Sequence, residues 1–225
     1  MKVSLVSYTK PAGILEESDV KTLTDLVAYC ARVSNPTNQM NSATSEKLIK
    51  YLIKHKHWSP LEMVDVTMEI ETTRDIARQM LRHRSFSFQE FSQRYADVSS
   101  FGEMFEYAEA RRQDPKNRQN SVEVNDEQFQ KDWMIQQKAV IEVCQKVYQI
   151  AIQKGIAKEV ARKVLPEGLT KSRMYMKGSL RSWIHYLEVR GEGSGTQKEH
   201  TLVAQEIAKV ITQLFPVSEE LKNEL

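Results

Sequence analysis

Residues that staple or break a chain are scarce here. There are only two cysteines, eight glycines and six prolines in 225 residues. Cys30 and Cys144 have no paired spacing, which argues against a disulfide framework or a cysteine-rich zinc site and fits a reducing, cytoplasmic setting. No apolar run approaches the roughly 20 residues that a membrane helix needs. The first 30 residues carry Lys2, Lys10, Glu16, Glu17, Asp19 and Lys21, so they hold no apolar core of signal-peptide length. Charge of one sign is also lacking. Lys+Arg 32 against Asp+Glu 30 leaves a net +2, which gives no bulk attraction for nucleic acid. Any anion site must come from local clustering.

What remains is an ordinary globular balance, with 40% hydrophobic and 28% charged residues. There is no repeat, low-complexity tract or linker, so the expectation is one domain over residues 1–225. Val3–Tyr8 alternates and predicts a strand, as does Glu62–Glu71. Helices are expected over Val20–Arg32, Ser42–His55 and Arg74–His83, the last capped by Thr72 or Thr73. His57–Pro60 reads as a turn, Ser85–Tyr95 as a loop and Ala96–Tyr107 as a further strand. Residues 108–125 are polar and predict an exposed surface excursion. A long helix follows over Asp126–Lys154, with a stripe of Phe129, Trp133, Val140, Val143, Val147 and Ile150, stopped by Gly155. Ile156–Leu165, Ser179–Val189 and Gln197–Phe215 predict three more helices. The fold class is α+β: a small antiparallel sheet packed with several helices.

Arg74–Tyr95 is the most unusual stretch. Arg74, Arg78 and Arg82 fall at i, i+4 and i+8 on one helix face, where like charges repel. An acidic neighbour or a bound anion must offset that repulsion. The cations continue into Arg84 and Arg94 and interleave with Phe86, Phe88, Phe91 and Tyr95. Such a mix can stack a flat ring and hold its phosphate. It is equally compatible with core aromatics beside a salt-bridge network or with a solvated basic face. Ser92 lacks an adjacent base and reads as a hydroxyl or amide donor rather than a nucleophile. Cys30 and Cys144 read as buried packing residues. His55 and His57 lack a third metal ligand, so no metal is expected. His185 and His200 read as helix-surface or satisfied core histidines. Trp58, Trp133 and Trp183 read as packing, with Trp58 a candidate border of a ring site.

Arg82-His83-Arg84, then Ser92-Gln93-Arg94-Tyr95 after seven residues, resembles the signature of the flavin-dependent thymidylate synthases. Lys54–Glu62 resembles that family's histidine-containing segment, and Ala77-Arg78-Gln79 precedes the signature as in relatives. Val160–Pro166 resembles its later arginine-bearing helix. Arg181–Trp183, Leu187–Arg190, Gln197 and Glu199 resemble its C-terminal block. The likeness spans roughly residues 20–215.

The resemblance implies that fold and a homotetramer with shared active sites. It implies FAD as cofactor, dUMP as substrate, and methylenetetrahydrofolate and NADPH as cosubstrates. Arg82, His83, Arg84, His57 and Ser59 would line the FAD site, with Glu90, Ser179 and His185 as further flavin contacts. Gln79, Arg82, Glu90, Ser92, Gln93, Arg94 and Arg162 would hold dUMP. Arg190 would face the uracil as the catalytic cation. The resemblance implies no enzyme nucleophile. The chain departs from the family at Ser179, His185, Met63 and Gly191–Gly195, so flavin contacts within 179–195 are the least determined. Two competing classes stay open: a nucleic-acid module built on the Arg-aromatic stretch, and a relative that kept the fold without the catalysis.

Overall fold

The computed structural model describes residues 1–192 and 195–216. Its centre is a four-stranded antiparallel sheet of β1 (Lys2–Tyr8), β2 (Asp65–Thr73), β3 (Ser87–Glu90) and β6 (Lys171–Ser179), in the order β1-β2-β6-β3. The β2–β6 ladder is unbroken from Asp65↔Ser179 to Thr73↔Lys171. Alternation puts Val66, Met68 and Ile70 of β2 and Met174 and Met176 of β6 on one fully buried face. The opposite face is polar, with Arg173 paired to Glu71 at 2.6 Å and Lys177 to Asp65 at 2.9 Å.

Helices cover the apolar face. They are α1 (Leu23–Ala31), α2 (Ser45–Lys54), α3 (Arg74–Met80), α6 (Leu180–Arg190) and α7 (Lys198–Leu214). Leu61, Ile76, Met80, Trp183, Val203, Ile207, Ile211 and Phe215 join the sheet residues in one core. Thr22 and Asp25 form a capping box that starts α1, so this helix opens three residues later than Ser18-Asp19 suggested. The span before α2, expected to be helical, is a separate 3₁₀ turn at Ser42–Thr44. Two further expectations are corrected. Ser87–Glu90, inside the expected loop, pairs with β6 because Phe88 and Glu90 find partners there. Ala96–Tyr107 is no strand: it holds a 3₁₀ turn at Val98–Phe101 and a single bridge from Phe105 to Thr170.

Strand β6 was missed in the sequence although its pattern is visible in KSRMYMKGS, where Met174 and Met176 alternate with Arg173, Tyr175 and Lys177. The 108–125 excursion contains a short hairpin, β4 (Arg111–Gln113) and β5 (Ser121–Glu123). Its entry is tied down by α4 (Glu127–Gln153). The side-chain amide of Gln137 brackets the backbone of Ala108 at 2.8 and 2.9 Å, and that of Gln130 brackets Ala110 at 2.9 and 2.8 Å. Asp126 caps α4, and Gly155 ends it at a φ of 74°.

The stripe expected to bury α4 does the opposite. Trp133, Val140, Val143, Val147 and Ile150 are exposed, and the inward face is Gln137, Ile141, Tyr148 and Ala151. That face meets a second, smaller core with Val98, Met104, Phe105 and Ala161. The next helix is shorter than expected: α5 (Lys158–Ala161) gives way to a 3₁₀ turn at Arg162–Val164. Cys30 and Cys144 are half-buried rather than buried. Among the described residues no helix is long and apolar enough to cross a membrane.

The Phe86 ring lies directly on Gly178 of β6, and a Cβ there would overlap it. Gly178→Ala is therefore expected to destabilise the protein by about 1–3 kcal/mol through overpacking. Thermal unfolding should show a melting point several degrees lower, and an unchanged value would refute this role for the glycine.

Candidate functional site

The repulsion built into Arg74, Arg78 and Arg82 is resolved in two ways. Arg74 is buried and lies 3.5 Å from both Glu90 and Glu167. Arg78 meets Glu167 at 3.1 Å and Glu90 at 3.9 Å. Acidic neighbours thus answer for the first two cations, and Ser172 donates a 2.8 Å bond to Glu90 that fixes it further. Glu167 carried no sequence signal. Helix α3 ends at Met80, so Arg82 leaves the helical row, and the chain turns through His83 and Phe86 into β3. Among the described residues, no carboxylate lies within 4 Å of Arg82, Arg84 or Arg190.

Helix α6 brings its last turn onto this bend. Arg190 donates its Nε proton to Nε2 of His83 at 3.0 Å. His83 is half-buried and stands edge-on to Tyr186 with ring centres 4.9 Å apart. Burial first, then the charges of Arg190, His185 and Arg82, lower the His83 pKa to about 4. The ring is therefore neutral near pH 7. Because Nε2 accepts from Arg190, its proton sits on Nδ1.

Behind Tyr186 lies His200, fully buried as a satisfied core histidine. The Tyr186 hydroxyl is 2.8 Å from its Nε2, and Oε1 of Gln79 is 3.1 Å from its Nδ1. Burial, then Arg190 and His83, lower its pKa to about 3. Gln79 also donates to Oε1 of Gln197 at 2.8 Å. Gln79, Arg82, His83 and Arg190 thus form one neighbourhood, supported by Tyr186, Gln197 and His200, and Arg84 follows His83 in the chain. The contact of Gln79 with α7 was not foreseen, because its partners are 118 and 121 residues away.

The other expected residues fall into separate groups. Arg94 is largely exposed and lies 3.3 Å from Glu159 of α5, one turn before Arg162. Lys158 donates to the Tyr95 carbonyl at 2.9 Å. Ser92 begins a turn whose carbonyl accepts from Tyr95 and Ala96. Gln93 is buried, and its Nε2 has no hydrogen-bond partner. A buried orphan donor costs on the order of 1–3 kcal/mol, so a ligand acceptor there would relieve it.

His57 is exposed and follows Lys56, a non-glycine residue held at a φ of 57°. His55 and His57 flank the Tyr51 ring at 4.3 and 6.1 Å. Ser59 opens the 3₁₀ turn Ser59–Met63, so the expected plain turn is helical. Trp58, Glu62, Ser85, Arg181 and His185 line a cleft of about 280 Å³ between that turn and α6. Trp183 is buried, whereas Trp133 is exposed. Ser179 is turned inward as the N-cap of α6, accepting from the Ser182 amide at 3.2 Å. Of Gly191–Gly195, Gly193 and Ser194 lie outside the described residues.

Cations with no carboxylate partner among the described residues suit a flavin phosphate or ring, and the orphaned buried amide of Gln93 suits a second ligand with an acceptor. Comparison with known proteins agrees with this chemistry. A sequence model of the thymidylate synthase complementing protein family matches residues 18–217. The chain is 49% identical over 216 residues to the flavin-dependent thymidylate synthase of Synechocystis sp., covering 96% of each chain. It is 47% identical, with the same coverage, to the probable flavin-dependent thymidylate synthase of Paramecium bursaria Chlorella virus 1. The crystal structure of the UMP/dUMP methylase PolB from Streptomyces cacaoi, bound with 5-Br dUMP, superposes with a TM-score of 0.80 at 27% identity. That superposition covers 97% of this chain and 93% of that one.

A neutral buried His200 ties stability to pH. Its folded pKa lies below the unfolded value of about 6.5, so the unfolded chain binds the extra proton. Its contribution is complete above about pH 6.5 and is lost as pH falls towards the folded value. Roughly 2 kcal/mol should disappear between pH 7 and pH 5. The melting temperature should drop over that interval, and His200→Gln should flatten the slope. Parallel slopes for the two proteins would contradict the assignment.

Proposed function

Because the chain belongs to the thymidylate synthase complementing protein family, we propose that it is a flavin-dependent thymidylate synthase, methylating dUMP to dTMP. The observation that carries the reading is a pair of cations, Arg82 and Arg190, with no carboxylate partner among the described residues, set beside a neutral His83 with Arg84 next to it in the chain. Such a group is poised for anionic ligands, whereas Arg74 and Arg78 are already neutralised by acids.

Methylenetetrahydrofolate is the carbon donor in this proposal, and NADPH is the reductant. FAD, when bound, supplies the hydride chemistry. The chain's own residues bind, orient and polarise. Arg82, His83 and Arg84 hold the flavin, with His57, Ser59, Glu90, Ser179 and His185 at its margins. His83 presents an Nδ1 proton as a fixed donor. Gln79, Ser92, Gln93, Arg94 and Arg162 hold the nucleotide together with Arg82 and Glu90, and Arg94 takes the phosphate in place of Glu159. Arg190, with its Nε committed to His83, faces the uracil through its terminal nitrogens. A cation anchored in that way stabilises negative charge on the ring without reorganising. No thiol is required: Cys30 lies on α1, and burial pushes its pKa up.

The Ser92–Arg94 turn with Arg162, the His57 group and the Arg190 group are not joined by hydrogen bonds among the described residues. Active sites completed by neighbouring copies in a homotetramer would join them. In the exposed row of Trp133, Val140, Val143, Val147 and Ile150, the last four repeat at three and four residues and Trp133 lies two turns earlier, as in an interhelical seam.

The purified protein should be yellow, and its reduced flavin should be reoxidised by dUMP with methylenetetrahydrofolate, yielding dTMP. Arg94→Ala should weaken dUMP binding by about 10- to 100-fold, the worth of a charge-assisted bond, with FAD affinity little changed. Calorimetry that found equal losses for both ligands would contradict the division of roles. Val143→Lys should break the assembly without harming the monomer fold, because Val143 is 63% exposed. Light scattering that still reports a tetramer would remove the seam from the interface.

A further inference from the structure

Five polar side chains from three elements form one directed chain of hydrogen bonds. It starts at Glu199 in the first turn of α7. Arg111 of the β4–β5 hairpin donates to its Oε1 at 2.6 Å, and Gln197 donates to its Oε2 at 3.0 Å. Burial disfavours the Glu199 charge, but its own backbone, Arg111 and Gln197 outweigh burial and hold the carboxyl below its usual range. A carboxylate only accepts. The Gln197 amide must therefore turn its NH₂ to Glu199 and its oxygen away. That oxygen takes the Nε2 proton of Gln79 at 2.8 Å. Gln79 is then left with its oxygen towards His200, whose Nδ1 is 3.1 Å away and must carry the proton. Nε2 of His200 accepts from the Tyr186 hydroxyl at 2.8 Å. Burial pushes the Tyr186 pKa well up, so that hydroxyl stays a donor.

We infer that Gln197 and His200 are positioning residues that fix which way the Gln79 carboxamide faces, and that this orientation makes the pocket select a uracil ring over a cytosine ring. The inference rests on the proposed place of Gln79 in the dUMP pocket. An amide has two lone pairs on oxygen and two N–H groups. His200 takes one lone pair and Gln197 one N–H, so one acceptor and one donor remain, side by side.

Uracil offers an N3–H donor flanked by two carbonyl acceptors, which matches an oxygen facing N3 with an N–H beside it. Cytosine has an unprotonated N3, so the same oxygen would face a lone pair. A free glutamine could rotate its amide by half a turn and accept either ring. Here that turn would also have to reverse Gln197, setting its oxygen against the Glu199 carboxylate. The ring cannot move instead, because its phosphate and Arg190 would hold it. Sites that leave a buried polar group mispaired reject the wrong ligand strongly.

The test measures dUMP and dCMP affinity by calorimetry on the flavin-loaded protein. Three proteins are compared: wild type, Gln197→Met and Glu199→Gln. Methionine removes the acceptor for Gln79, and an amide at position 199 allows Gln197 to reverse. Wild type should prefer dUMP, and both variants should lose at least tenfold of that preference while keeping FAD affinity and melting temperature. A merely structural role would weaken both nucleotides by the same factor, and that result overturns the inference. Variants that keep the wild-type preference overturn it alone. A wild type that takes up neither nucleotide overturns the functional reading along with it.

Discussion

The antiparallel pairing of β2 with β6 is the constraint on which the site depends. Each strand runs straight into a helix: β2 into α3 at Thr73, β6 into α6 at Ser179. Because the strands are antiparallel, the two helices leave opposite ends of one ladder and return over the same apolar face. Their far turns meet, which is how Arg190 comes to donate to His83 across 107 residues of chain. Phe86 seated on Gly178 holds the bend that carries His83. A shift of one residue in the register would send every buried methionine of β6 to the polar face. The register therefore fixes the core and the functional bend together.

Electrostatics then sorts five arginines that look alike in the sequence. Arg74 and Arg78 share Glu90 and Glu167, so their charges are absorbed locally and they brace the bend. Arg82 and Arg84 have left the helix and meet no carboxylate among the described residues. Among the described residues Arg94 is paired only with the exposed Glu159, a contact that a phosphate can displace at little cost, because exposed ion pairs contribute about 0–1 kcal/mol. Neutral histidines fit this arrangement. A protonated His83 or His200 would sit in low-dielectric surroundings beside Arg190, and burial with that charge drives both to the neutral form.

Helix α4 has two faces with different work. One buries Ile141, Tyr148 and Ala151 against the smaller core, and its glutamines hold the backbone of Ala108 and Ala110. The other presents aliphatic residues to solvent in a single chain. A stripe at helical spacing shows only that some surface is to be covered. It does not tell whether the cover is the chain's own core or another chain.

The order of residues alone carried the composition class, the alternating strands β1 and β2, most helix cores, and the Arg82–Tyr95 signature with its family. These are local properties: period, capping and motif spacing are written within a few residues of one another. Tertiary structure alone decided that Ser87–Glu90 is a strand, since a short edge segment is set by its partner on β6. It also decided which face of α4 is inward, which arginines are neutralised, and that Gln79 faces Gln197 and His200. Each of these depends on groups brought together from outside the local stretch, as far as 118 and 121 residues apart for the partners of Gln79. No window of sequence contains both halves of such a contact, and its energy exists only once the sheet has placed them side by side.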